Sequence, residues 1–282
     1  MANSPLRDET HGVRVYFCGQ IGNQMFHFVL GKILACQTGL AFDPPPEFVD
    51  IDENPVKWSG KPFFVMQTTE GERYHEVECF QFGARYWYDF SSLPKNRPIH
   101  ICYGHWCRYE LYRDWKTQIR EDWLKIPDDR FVETDPEAVY IHVRLTDFKV
   151  DSDMAQHQGQ TTPIDGFAVC LERLSDYKRL VIVTDDAKDS FHEGFKRFGI
   201  PYEVQSQNWD QDFLTLASCR QMIMSASTFS WWAGFLGRAK KILCPIVYDT
   251  MWERGQRPDA DKDEYINLYV DDESDRWEFI RL

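Results

Sequence analysis

The segment His142-Val-Arg-Leu-Thr-Asp147-Phe148 brings an imidazole, a guanidinium and a carboxylate close together in the chain. A second segment, Ser227-Thr-Phe-Ser-Trp-Trp232, offers hydroxyls and backbone N–H groups at a predicted helix start. Such a start holds an anion such as phosphate through oriented N–H dipoles. Each segment follows an apolar run that reads as a strand: Ala138-Val-Tyr-Ile141 before the first, Gln221-Met-Ile-Met224 before the second. Ligands of open α/β sheets bind beyond the carboxyl ends of such strands. The pair therefore predicts a site for a nucleotide diphosphate, and hence a group-transfer enzyme. Plainer readings exist for each residue: His142 and Arg144 as a structural pair, Ser227 as a helix N-cap, Trp231 and Trp232 as core packing. What favours chemistry is that both segments take equivalent places in one α/β region.

The elements that must position these residues can be followed along the chain. Val13–Phe17 reads as a strand, and Cys18–Asn23 as a turn in which Gly19 and Gly22 permit unusual backbone angles. Phe26, Val29 or Leu30, Ile33 and Gln37 then recur at helical spacing, with Gly39 placed to end the helix. Residues 43–60 are loop-like, Pro62–Met66 and Pro98–Cys102 look like strands, and Phe80–Phe90 between them is aromatic-rich. Tyr109–Leu124 reads as a helix of mixed charge, with breaks near Ile126–Asp129 and Glu133–Pro136. The second half is more regular: strand Val139–Val143, helix Pro163–Ser175, strand Leu180–Thr184, then Asp185-Asp186 capping a helix that runs to about Phe198. Helix Asp212–Cys219, strand Gln221–Ser225, helix Phe229–Leu236 and strand Lys241–Cys244 complete it. Strands alternating with short helices predict an α/β fold with a parallel sheet covered on both faces. The tail after Met251 carries Trp252, Tyr265, Tyr269, Trp277 and Phe279 and so reads as a packed segment, with a crossing back to the first half as one route for it.

Bulk composition narrows the function. With 282 residues, 43% hydrophobic and 27% charged, the chain can bury one large core or two smaller ones. A net charge of −13 argues against a nucleic-acid partner and against electrostatic attachment to an anionic membrane. Against that background Arg144 is the more informative cation for an anionic ligand. No run reaches the roughly 18 apolar residues of a membrane span, and the first residues lack a signal-peptide core. A cytoplasmic protein is the resulting expectation. The eight cysteines are scattered without a Cys-x-x-Cys pair, which predicts mostly buried free thiols rather than a zinc site. Aromatic residues make up 15%, which suits a cleft for sugars as well as a core.

Four segments in order resemble glycosyltransferase family 11, the α-1,2-fucosyltransferases, within a wider fucosyltransferase superfamily. Gly19-Gln-Ile-Gly-Asn-Gln-Met-Phe26 resembles the family's Gly-Gly-Leu-Gly-Asn-Gln-Leu-Phe, and Gly104-His-Trp-Cys-Arg-Tyr109 its Gly-Tyr-Trp-Gln-Ser-Glu. His142-Val-Arg-Leu-Thr-Asp147 is similar to His-x-Arg-Arg-x-Asp, and Asp212 through Ser227-Thr-Phe-Ser-Trp-Trp232 to Asp…Asn-Ser-Thr-Phe-Ser-Trp-Trp. The resemblance implies a GT-B type α/β fold: two facing Rossmann-like domains with parallel sheets. Residues 1–135 would form the acceptor-side domain with the Gly-Asn-Gln loop, and residues 136–282 the nucleotide-sugar domain. It implies inverting transfer of L-fucose from GDP-fucose to a glycan hydroxyl, with a nucleotide-sugar donor, a glycan acceptor, and neither cofactor nor metal. Arg144 would stabilise the leaving diphosphate. His142 and Asp212 would hold the guanine and its ribose, and a carboxylate suits guanine because it can accept from N1–H and N2–H together. Ser227, Thr228 and Phe229 would supply phosphate donors, Gly22 and Asn23 would close on the diphosphate from the other domain, and Asp185 joins the donor-binding set. Asp147, Asp151 and Asp153 are candidate general bases for the acceptor hydroxyl. The physical logic stands apart from the family: a departing dianionic diphosphate is stabilised by oriented cations and N–H donors in a dry cleft.

Several positions depart from the family pattern. The second Arg is Leu145, the Asn before Ser-Thr-Phe-Ser is Ala226, and Gln20 replaces a Gly. Leu145 and Ala226 motivate an alternative in which the same scaffold uses a UDP-pentose such as UDP-xylose, or a UDP-hexose. Two further readings are a metal-dependent transferase using Asp50-Ile-Asp52, Asp151-Ser-Asp153 or Asp259-Ala-Asp261, and a sugar-binding module without turnover.

Overall fold

The computed structural model describes residues 12–15, 20–42, 47–49, 55–57, 80–82, 99–101, 106–146, 161–246 and 268–282. The chain divides into two compact units between Lys125 and Ile126, where the sequence placed the boundary after residue 135, and the described terminal residues belong to the second unit. The expected strand Pro62–Met66 lies outside the described residues.

The first unit contains β1 (Gly12–Val15), α1 (Ile21–Thr38), β2 (Ala41–Phe42), β3 (Glu47–Val49), β4 (Pro55–Lys57), β5 (Phe80–Phe82) and β6 (Ile99–Ile101). Four of these strands form a parallel sheet in the order β2-β1-β6-β5, and β3 and β4 pair antiparallel by themselves. The start of α1 is a correction to the sequence reading. The Gln20 carbonyl already accepts the N–H groups of Asn23 at 2.9 Å and Gln24 at 3.1 Å, so Gly22 and Asn23 lie in the first helical turn rather than in a turn before it. Phe26, Val29, Leu30, Ile33 and Leu34 are buried along the helix. Gly39 ends it as expected, at φ 75, a left-handed angle that favours glycine, with its N–H bonded to the Ala35 carbonyl.

The single helix expected over Tyr109–Leu124 is broken. Short 3₁₀ turns at Tyr109–Leu111 and Arg113–Trp115 lead into α2 (Lys116–Gln118) and a π turn at Ile119–Trp123. Tyr112 sits at the break, fully buried, its ring 5.2 Å from Phe26 and its hydroxyl donating to the Trp106 carbonyl at 2.7 Å. Satisfying that buried hydroxyl and packing that ring outweigh the modest gain from continuing a regular helix.

The second unit contains β7 (Ala138–Val143), α3 (Ile164–Leu171), β8 (Arg179–Thr184), a 3₁₀ run at Ser190–Phe198, β9 (Tyr202–Gln205), α4 (Trp209–Ser218), β10 (Gln221–Ile223), α5 (Thr228–Leu236), β11 (Lys241–Ile246) and β12 (Trp277–Arg281). All six strands are parallel, in the order β12-β11-β10-β7-β8-β9. The parallel sheets and intervening helices make this a Rossmann-like α/β organisation. β9 and β12 were not read from the sequence; β12 gives the aromatic tail its place, paired with β11 from Ile242–Trp277 to Ile246–Arg281. Asp185 and Asp186 do not cap the run that follows β8. Asp189 does so, its carboxylate accepting the Phe191 N–H at 2.8 Å. α4 starts at Trp209, so Asp212 stands one turn inside the helix rather than at its cap.

Alternation along β7 organises the core. Val139, Ile141, Val143 and, beyond the strand, Leu145 pack with Phe167, Cys170, Leu180, Ile182 and Phe195. Period-two geometry sends Tyr140, His142 and Arg144 to the opposite face. Trp231 and Trp232 are fully buried, and Trp231 stacks on Phe235 at 4.8 Å while its indole N–H donates to the Leu268 carbonyl at 2.9 Å. Their role is packing, the plainer of the two readings. At the end of α5, a Cβ on Gly237 would lie 2.5 Å from the Ala217 carbonyl oxygen, so only glycine lets the ends of α5 and α4 meet there. Cys107, Cys170, Cys219 and Cys244 are buried free thiols and Cys36 is an exposed one. Burial pushes the thiol pKa of Cys170 up to about 12 and raises Cys219 and Cys244 as well, so these three stay protonated and unreactive. Among the described residues no helix is long and apolar enough to cross a membrane.

Leu145→Arg would restore the family's second cation in sequence but bury a guanidinium in the apolar core. Urea denaturation should show a loss of about 3–5 kcal/mol, against less than about 1.5 kcal/mol for Leu145→Met. A Leu145→Arg protein as stable as wild type would contradict the core placement.

Candidate functional site

The carboxyl edge of the second sheet gathers the residues singled out from the sequence. His142 lies near the end of β7 and is 4% exposed. Its Nδ1 is 2.6 Å from the Ser225 hydroxyl, which stands just beyond β10, the strand beside β7. The imidazole lies 5.5 Å from the Phe229 ring, which in turn meets Phe213 edge-on at 5.4 Å. Burial pushes the His142 pKa down to about 3; Arg144 pushes the same way, and Asp185 opposes them. The imidazole is therefore neutral at physiological pH.

Arg144 is held by Asp185, with Nε 3.4 Å from Oδ2 and both side chains largely buried. Asp185 follows β8, the other neighbour of β7, and its carboxylate does more than pair with Arg144. Oδ1 accepts the Leu145 N–H at 2.9 Å, while Oδ2 accepts the Thr146 N–H at 3.2 Å and the Thr146 hydroxyl at 2.6 Å. Burial alone would raise the Asp185 pKa. The Thr146 hydroxyl, Arg144 and the Leu145 N–H outweigh it and bring the pKa below the usual carboxylate value. The sequence grouped Asp185 with donor-binding residues; its contacts make it the group that fixes the 144–146 turn and orients Arg144.

Asp212, 7% exposed, uses each carboxylate oxygen once among the described residues. Oδ1 accepts from the Gln205 side-chain amide at 3.2 Å and Oδ2 from the Gln207 N–H at 3.0 Å. Burial raises its pKa, with these two bonds opposing. An ionised carboxylate has about four acceptor positions, so the group retains acceptor capacity. At the start of α5, Ser227 is the N-cap: its hydroxyl accepts the Phe229 N–H at 3.3 Å. The Ser230 hydroxyl donates back to the Ser227 carbonyl at 3.1 Å. The serine thus fulfils the structural reading, and the site where an anion would replace its hydroxyl is the same helix start.

His142, Arg144, Asp185, Asp212, Ser227, Thr228 and Phe229 all belong to the second unit; Asp185 holds Arg144, and Phe229 meets both the His142 ring and the Ser227 hydroxyl. Gly22 and Asn23 belong to the first unit, where the Asn23 side-chain oxygen faces the Cys107 thiol at 3.8 Å. Asp147, Asp151 and Asp153, the candidate bases, lie outside the described residues, as do the Asp50-Asp52 and Asp259-Asp261 pairs. The sequence did not single out Ser225, Thr146, Gln205 or Gln207. Ser225 becomes visible only once β10 is known to lie beside β7, which strand order alone decides. Thr146 was inside a quoted motif, and its distance of 39 residues from Asp185 hid their contact.

The buried neutral His142 carries a pH dependence. An unfolded chain protonates it near the ordinary 6.5, whereas the folded chain does so only near 3. Its contribution is therefore fully present above pH 6.5 and is lost as the pH falls through that window. Between pH 7.5 and 5.5, wild type should lose about 1.4 kcal/mol more unfolding free energy than His142→Asn, which keeps an amide beside Ser225. Parallel pH dependences by urea denaturation would contradict the assignment.

No curated protein sequence matches the chain. The model for glycosyl transferase family 11 matches residues 88–268, well over half of it, and spans every second-unit site residue described above. The chain belongs to glycosyl transferase family 11, and the site sits in a glycosyltransferase.

Proposed function

We propose that the protein is an inverting fucosyltransferase on a GT-B scaffold, transferring L-fucose from GDP-fucose to a glycan hydroxyl without a metal. The observation that carries this reading is the clustering, at one sheet edge, of a guanidinium fixed by Asp185, a buried neutral imidazole and the start of α5. In the reaction the acceptor oxygen attacks the sugar C1 and the C1–oxygen bond to the diphosphate breaks. GDP departs with the bonding electrons, and the acceptor proton passes to a general base, for which Asp147, Asp151 and Asp153 remain the candidates. The terminal nitrogens of Arg144 are assigned to the diphosphate, where charge grows in the transition state. The start of α5 is assigned to the same diphosphate through Ser227, Thr228 and Phe229: the Ser227 N–H is already given to the Ser225 carbonyl at 2.8 Å, so Ser227 contributes its hydroxyl and releases the Phe229 N–H that it caps. Asp212 is assigned to the guanine edge and neutral His142 to the nucleoside, and Gly22 and Asn23 keep the donor-binding role that the family resemblance implies. Leu145 supports the GDP-fucose reading over an altered donor, because it faces the core and so does not mark a reshaped pocket.

A nucleotide panel read by thermal shift tests the donor. GDP at a hundredfold excess over its dissociation constant should stabilise the protein by about 2.7 kcal/mol, with UDP giving no shift at the same concentration. Arg144→Ala should remain folded and lose turnover by a factor on the order of 10²–10³, and Arg144→Lys should not restore it because a point charge cannot replace the planar fork. Stabilisation by UDP and not GDP, or an Arg144→Ala enzyme near wild-type turnover, would contradict the proposal.

A further inference from the structure

The amino ends of the second unit's parallel strands lie at the edge opposite the site just described. There a cleft of about 260 Å³ is walled by three loops: one after α3, one before β10 and one before β11. Arg173, Arg220, Lys240 and Lys241 line it, four cations in a chain whose net charge is −13. The loops are tied to one another. The Arg220 carbonyl accepts the Lys240 N–H at 2.8 Å and the Lys241 N–H at 3.4 Å, and the Gln221 side-chain amide donates to the Ser175 carbonyl at 3.4 Å. Among the described residues, two carboxylates are placed beside these cations. Glu278 of β12 pairs with Lys241 at 2.7 Å and with Arg173 at 3.6 Å, and Asp176 accepts the Ser175 hydroxyl at 3.1 Å. Arg220 and Lys240 make no ion pair among the described residues.

We propose that this cleft is a second ligand site, for a small anion bearing a phosphomonoester or diphosphate group. Like charges held together by loop bonds repel one another, and an anion between them relieves that repulsion. Arg220 supplies a planar fork matched to phosphate oxygens, and Lys240 a mobile point charge beside it. The surrounding acid-rich chain disfavours an extended polyanion, whereas a small anion meets only the cleft. The site is separate from the donor edge by the length of a strand, roughly 20 Å for six residues.

The test titrates pyrophosphate into protein saturated with GDP, with sodium chloride at matched ionic strength as the reference. Saturable binding is expected by calorimetry, weakened about tenfold or more in the Arg220→Ser, Lys240→Ser double variant, the scale of losing a charge-assisted contact. GDP binding to that variant should be unchanged, which also shows that it is folded. Vesicles containing phosphatidic acid form a second arm. Retention that depends on Arg220 and Lys240 assigns the phosphate to a lipid headgroup, and binding of free pyrophosphate alone assigns it to a soluble ligand. Absence of saturable binding in both arms, or equal binding by the double variant, would overturn the proposal. A failure of GDP to bind bears on the donor reading and not on this one, because the variant's fold is then checked by its urea transition and the dependence on Arg220 and Lys240 is still read.

Discussion

The carboxylate of Asp185 is the interaction on which the site depends. It projects from the end of one strand and binds two backbone N–H groups, a hydroxyl and a guanidinium from the end of its neighbour. A parallel sheet makes this possible, because it sets all carboxyl ends at one edge. The turn after a buried strand leaves N–H groups that must find acceptors away from water. Asp185 answers the N–H groups of Leu145 and Thr146 and in doing so fixes where Arg144 leaves the chain. Its lowered pKa follows from the same contacts and keeps it ionised, as a partner for a guanidinium must be.

The second constraint is the alternation of β7. A strand buried on both faces must be apolar on both, yet His142 and Arg144 share a face with Tyr140 at its end. The polar groups are accommodated by partners from neighbouring elements: Ser225 for His142 and Asp185 for Arg144. The opposite face continues without polar groups through Val143 to Leu145, which is closed into the core. The missing second arginine of the family pattern is therefore a packing residue in this chain. Among the described residues, the electrostatics of the edge rest on Arg144 held by Asp185, a neutral imidazole and a helix start.

Much of this was legible in the sequence, and the parts that were not share a physical cause. Apolar runs placed four of the second unit's six strands, β7, β8, β10 and β11, because parallel strands buried on both faces leave a continuous hydrophobic signal. The N-cap role of Ser227 and the packing role of the tryptophans were both available as plain readings. The core placement of Leu145 was missed in the sequence, although period-two alternation carried two residues past the strand assigns it to the face of Val139, Ile141 and Val143. What local pattern cannot carry is which strands are neighbours. The contacts Ser225–His142 and Asp185–Thr146 join residues 83 and 39 positions apart and exist only through strand order. Short elements were also missed, as with β9 and β12, or broken where a tertiary contact outweighed propensity, as at Tyr112. The start of α1 was misread because glycine signalled a turn where the Gln20 carbonyl had already begun a helix.

The central claim is that the donor nucleotide binds at the carboxyl edge of the second unit's sheet. Hydrogen exchange read by mass spectrometry, with and without saturating GDP, tests it directly. The account predicts slowed exchange in peptides covering residues 142–146, 205–213 and 225–230, with the core strands unchanged. Protection confined to other parts of the chain, or none at all with GDP bound, would contradict it.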